Sequence, residues 1–269
     1  MDGNISSEVF DYFAPQTVPI GLLSIPHSGE IIPEEFLPYL TQNRRALDED
    51  VDYRVRDLID LEALLQAGVH VLVAKIHRTA VDLNRAPQIA VLNWKENTQG
   101  VQLINEKNMP DDSQMKRWLA RYHTPYFNLI QDLLDQLKKR HKATIPMIDL
   151  HSMPSAPTAF HLKNNPQQKV KRSDFCVSDL QGESCSREFI DFVVEQLTIS
   201  GFSAEKNEPY FGGYVTKFVN AISRTNNIQI EINRATYMDE VAKTMLEEKA
   251  ARLKKVLNAA LLSTFQKFS

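Results

Sequence analysis

No apolar run in the 269 residues comes near the roughly 18 that a membrane-spanning helix needs, so no span is expected. There is no excess of positive charge either. The 31 Lys and Arg stand against 34 Asp and Glu for a net charge of −3, which gives no electrostatic reason to expect a nucleic-acid partner. Cysteine is scarce. Cys176 and Cys185 lie in a polar middle segment and read as reduced thiols rather than a disulfide. The opening stretch MDGNISSEVFDYF has neither a basic nor an apolar leader region, so no secretory signal and a cytoplasmic location are expected. Glycine is also rare, with nine in all, and Gly29, Gly212 and Gly213 fall in motif-like stretches where glycine geometry is expected to matter. The remaining composition, 43% hydrophobic and 24% charged, is an ordinary globular balance. With no repeat and no linker in view, one domain over 1–269 is expected.

The periodicities alternate between strand and helix. VPIGLLSI (18–25), VHVLVAKI (69–76), TAVDLN (79–84), TIPMIDLHS (144–152), a short piece near DFCVSDL, GFSAEKN, and the period-two NIQIEINR (227–234) read as strands. Helices are expected over 33–40, 48–68, 113–140, 183–200 and 239–266, with Pro125 kinking or splitting the third. Residues 86–112 and most of 153–182 have no clear period, and YFGGYVTKF (210–218) reads as a turn or hairpin. The pattern predicts an α/β three-layer sandwich: a mixed, mostly parallel sheet with helices on both faces.

In such a sheet chemistry gathers at the carboxyl ends of strands. One strand ends at His27, another at His151 with Asp149 two residues earlier, and a third carries Glu231 between Ile230 and Ile232. Two imidazoles and a carboxylate form a zinc-type donor set. Glu30, three residues after His27, and Asp50, in the DED run, both compete to complete it. Taken singly, either histidine also fits a capped turn. Glu231, if buried, would have a raised pKa suited to a general base; the alternative is a strand with Gln229, Glu231 and Asn233 all facing solvent. Arg78, Arg85 and Arg234 are candidates to clamp a carboxylate or, equally, to form local ion pairs.

PHSG (26–29), VDLNR (81–85), YHTPY (122–126), DLHS (149–152), FGGYVTK (211–217) and IQIEINRATYMDE (228–240) together resemble the N-formylglutamate amidohydrolase family. The resemblance implies a zinc-carboxypeptidase-like, phosphorylase/hydrolase-type fold and a metallo-amidohydrolase acting on a small N-acyl amino acid with one zinc ion. It implies His27, His151 and Asp50 as ligands, with Glu30 a weaker substitute for Asp50, and Glu231 as the catalytic glutamate. Asn84 and Arg85 would bind a substrate carboxylate, with Gly213, Tyr214 and Lys217 in the GGYVTK stretch. Lys217 stands where the family often has arginine, so it keeps the charge without the bidentate fork. Arg78 is the expected oxyanion partner, and Arg234 a further substrate contact. Two rival readings are a peptidase or cell-wall peptide amidase on the same scaffold, and a non-catalytic binding protein.

Overall fold

The computed structural model describes residues 3–140, 144–223 and 225–269. Its strands are β1 Ile5–Ser6, β2 Phe10–Phe13, β3 Gly21–Ile25, β4 Val69–Ala74, β5 Ile145–Met153, β6 Phe175–Ser178, β7 Ala204–Lys206 and β8 Thr225–Asn233, with a separate ribbon of β9 Met238–Asp239 and β10 Thr244–Met245. The α-helices are α1 Arg44–Leu47, α2 Leu61–Gln66, α3 Asp112–Trp118, α4 Thr124–Arg140, α5 Ala159–Asn164, α6 Arg187–Thr198, α7 Tyr214–Ile222 and α8 Glu247–Lys267.

The eight-stranded sheet has the order β1-β2-β4-β3-β5-β8-β6-β7. Its centre, β4-β3-β5-β8, is parallel; β2 and β6 join it antiparallel. Alternate residues feed two cores, which explains why β3, β4 and β5 read as continuous apolar runs. Leu22, Leu72 and Met147 face α3, α4 and α7 on one side, while Leu23, Val71 and Ile148 face α2, α6 and α8 on the other. This is the α/β architecture expected, with helices on both faces of a mixed, mostly parallel sheet.

Four local expectations are corrected. The apolar pattern of 48–68 is not one helix. It is a 3-10 turn at Asp48–Asp50, another at Val55–Leu58, and α2; Arg54 adopts a left-handed φ of 54°, and Asp60 caps a new helix through Ala63 N–H. Residues 79–84 are a turn, because the Asp82 carboxylate captures the Asn84 N–H and bends the chain. Residues 214–222 are helical, and 239–246 are mostly the β9–β10 ribbon rather than the start of α8. Short strands β1 and β2, which carried no clear signal, cover one edge. The expected break near Pro125 is a single π turn, Leu119–His123, in which Thr124 N–H reaches back to Leu119 O.

Candidate active site

β3, β5 and β8 deliver their C-terminal residues to one cavity of about 390 Å³. Register sets the array: His151 pairs with Glu231 across β5–β8, and Ser24 with Asp149 across β3–β5, so these side chains share a face. The turn after β3 is fixed tightly. Ser28 Oγ donates to Asp52 O and accepts from Arg56 N–H, and Asp52 N–H donates to His27 O. Gly29 has no room for a side chain, since a Cβ there would lie 2.2 Å from Ile76 O. His27 and Asp52, distant in sequence, are thereby held side by side.

His27, Asp52 and His151 are buried, each offering a donor atom within 4.8 Å of the others. Each histidine is held by a carboxylate on its far nitrogen. His27 Nε2 bonds Asp82 Oδ1 at 2.6 Å and His151 Nε2 bonds Asp149 Oδ2 at 2.8 Å, while both Nδ1 atoms face Asp52 Oδ2, at 3.8 and 3.0 Å. Outer carboxylates that fix imidazole orientation in this way are the usual support of metal-binding histidines.

The structure brings Asp52, not Asp50, to the histidines. The Asp50 carboxylate lines the cavity but is occupied by Thr98, which donates its N–H at 2.9 Å and its hydroxyl at 2.6 Å. Glu30 is exposed and lies outside the cavity. Asp52 also accepts from Ser152 Oγ and from Arg234 Nη2, which donates to Val51 O as well, while Arg234 Nε and Nη1 donate to Ser152 Oγ and Glu49 O. Arg234 lines the cavity, but its guanidinium is committed to bracing the Asp52 segment.

Glu231 is buried on β8 with its neighbours Gln229 and Asn233; the solvent-facing alternative is not what the strand adopts. Gln229 Nε2 donates to Glu231 Oε1 at 2.7 Å, and Oε2 has no donor among the described residues. Burial pushes this carboxyl up to about 7, against the opposing charge of His151. For Asp52, burial acts upward but the His151 hydrogen bond and nearby cations outweigh it and hold the group well below the ordinary range. His27 is lowered by burial and then by Arg78; in His151 burial is overcome by Asp149 and Asp52, which raise it.

Arg78 donates to Asp50 O and Asp82 Oδ2, lies over Trp94, and leaves Nε without a partner in the buried wall. Asn84 is used internally: its amide contacts His151 and Gln229, and its oxygen accepts Val215 N–H at the start of α7. Gly213 packs against it so closely that a Cβ would meet the Asn84 amide at 2.1 Å. Arg85 and Lys217 line the cavity with exposed charges, whereas Tyr214 sits outside it among His123, Phe127 and Phe218.

Sequence reasoning missed Asp52 as a partner of the histidines. It also missed Trp94 and Thr98 in the aperiodic 86–112 stretch, and His161, Arg172 and Tyr210 around the polar middle. For Asp52 the only signal was a fourth acidic residue two places beyond DED.

The donor set suits a divalent ion: two imidazoles and one carboxylate, closed in by outer carboxylates. Its charge also fits. Four buried carboxylates, Asp52, Asp82, Asp149 and Glu231, face two guanidinium groups, Arg78 and Arg234.

Residues 21–238 match the N-formylglutamate amidohydrolase family. An N-formylglutamate deformylase of Pseudomonas aeruginosa is 28% identical over 235 residues, 84% of each chain. A crystal structure of N-formylglutamate amidohydrolase from Ralstonia eutropha superposes with TM-score 0.83 at 23% identity, over 97% of this chain and 99% of that one. A gene product of Agrobacterium tumefaciens shares the fold with TM-score 0.66 at 12% identity, over 96% of both chains. With the match spanning most of its length, including the segments that carry His27, His151 and Glu231, the chain belongs to the N-formylglutamate amidohydrolase family.

Proposed function

We propose that this amide hydrolase cleaves the linear amide of an N-acyl amino acid, with N-formyl-L-glutamate as the first candidate, and that His27, Asp52 and His151 hold one divalent ion, zinc. The observation that carries the reading is the convergence of two carboxylate-held histidines on Asp52, in the same cavity as a buried glutamate with a free oxygen.

When bound, the ion supplies an acidified water and a Lewis acid for the amide oxygen. Glu231 Oε2 takes a proton from the attacking water and returns it to the leaving amine nitrogen, so the amide gives a carboxylate and a free amino acid. Arg78, which lines the cavity, stabilises the developing negative oxygen through its charge. Arg85 and Lys217 attract the substrate's carboxylates. Asn84 and Gly213 pin the start of α7 against the site, and Arg234 holds Asp52 in place.

The test compares two neighbouring aspartates. Purified protein should hold about one equivalent of divalent metal. Asp52→Ala should lose both metal and hydrolysis of N-formyl-L-glutamate, while Asp50→Asn should keep its metal. Metal-free protein that hydrolyses at the parent rate, or activity surviving Glu231→Gln, would refute the scheme.

A further inference from the structure

The chain between β5 and α7 builds a cavity wall of which the mechanism above uses only Gly213. Arg172 is buried within it at 4% exposure and forms no ion pair with any described residue. Its Nη1 donates to Pro154 O at 3.0 Å and Tyr210 Oη at 3.3 Å, its Nη2 donates to Gln168 Oε1 at 2.9 Å, and Nε has no partner. The guanidinium lies 5.3 Å from the centre of the Tyr210 ring. A buried cation without a counter-charge is costly, and an anionic group held nearby would offset that cost.

His161 and Arg172 converge on one hydroxyl, that of Tyr210. His161 Nδ1 is met by the Thr158 N–H at 3.2 Å and by the Thr158 hydroxyl at 2.8 Å; the N–H can only donate and the hydroxyl can do so too, which assigns Nδ1 as the acceptor and puts the proton of the neutral ring on Nε2. Burial, and then Arg172, keep the ring neutral by lowering its pKa to about 4. The Nε2–H therefore donates to Tyr210 Oη at 3.1 Å. The phenolic oxygen thus accepts from both His161 and Arg172, and its own hydrogen has no acceptor among the described residues. Tyr210 and His161 line the same cavity as Glu231.

We propose that the Tyr210 hydroxyl donates its free hydrogen to a carboxylate of the substrate, with Arg172 and His161 as positioning residues that lock and polarise it. The inference rests on the proposed function and deepens it. An N-acyl dicarboxylic amino acid has two carboxylates, and the cavity has two places to receive them: Arg85 with Lys217, and Tyr210 backed by Arg172. A hydroxyl that accepts from two donors is a stronger donor itself.

Tyr210→Phe keeps the ring and removes only the hydroxyl. In metal-loaded enzyme the KM for N-formyl-L-glutamate should rise about tenfold or more, with kcat within about threefold. The inhibition constant of glutarate, a dicarboxylate with no amide, should rise by the same factor. Arg172→Met should shift both constants the same way, with Arg172→Lys restoring part of the effect, and melting temperatures identify any variant that fails to fold. Unchanged KM and glutarate inhibition in Tyr210→Phe would overturn the proposal while leaving the function intact, as would a loss confined to kcat, which would place the hydroxyl at the reacting carbonyl. If the parent hydrolyses no N-formyl amino acid, the function fails instead. Calorimetric glutarate binding then decides on Tyr210, and equal affinity in parent and variant, or no binding to the parent, overturns it.

Discussion

At the carboxyl ends of β3, β5 and β8 the ionisable side chains are buried and paired, whereas at the cavity mouth Arg85 and Lys217 stand exposed. Asp82 accepts from His27, Asn84 N–H, Arg78 and Trp94; Asp149 accepts from Ser24 and His151. By contrast, the carboxylate nearest Arg85 is 3.9 Å away, and Lys217 has no ion pair among the described residues. The groups proposed for chemistry are thus oriented before any ligand arrives, at the cost of burying charge, while the two exposed cations at the mouth keep their freedom.

Substitutions at the centre should therefore cost far more than those at the mouth. His151→Ala removes a proposed ligand and strands Asp149 and Asp52 without their partner. Activity should fall by more than about 100-fold, beyond what losing an outer hydrogen-bond partner costs, with metal analysis showing the parallel loss. Asp149→Asn should keep the ligand but loosen its ring, weakening metal affinity about 10- to 100-fold in a chelator competition. Retention of full affinity would remove Asp149 from the centre's design.

Glu231 gives a pH test on metal-free protein. Its folded pKa is raised from 4.5 to about 7, so the folded chain keeps a proton that the unfolded chain has already released. Its contribution to stability is full below the unfolded value and is lost as pH rises through about 7. Between about pH 4 and about pH 8 the parent should lose on the order of 3 kcal/mol relative to Glu231→Gln, measured by denaturant unfolding. A difference that shrinks with rising pH would contradict the assigned burial. The smallest effect is expected at the mouth: Lys217→Ala should raise KM no more than about tenfold and leave stability within about 0.5 kcal/mol. A large drop in stability there would erase the contrast.

Much of the central sheet was legible because buried parallel strands are continuous apolar runs, and His27, His151 and Glu231 each lie within two residues of the carboxyl end of one of them. Their register then makes neighbours of His151 and Glu231. The choice between Asp50 and Asp52 was not legible. It depends on Thr98, which occupies the first, and on Ser28, which ties the backbone of the second to the strand turn. Helix α7 was hidden for a similar reason, since Val215 N–H is capped by Asn84 from a distant turn. Periodicity reports which face is buried, but it carries no record of a partner more than a hundred residues away.

The sheet order also governs when the site can come into being. β6 and β7 are made before β8, yet β8 lies between β5 and β6 and is the sheet neighbour through which they join it. A chain emerging from its N-terminus can assemble β4, β3 and β5 early, with both histidines in place. The β6–β7 pair then waits for residues 225–233. When β8 inserts, one event joins the two parts of the sheet and brings Glu231 beside His151. A nascent chain is thereby kept without its proposed base until nearly all of it has been synthesised, so hydrolytic competence is a signal that the sheet has closed.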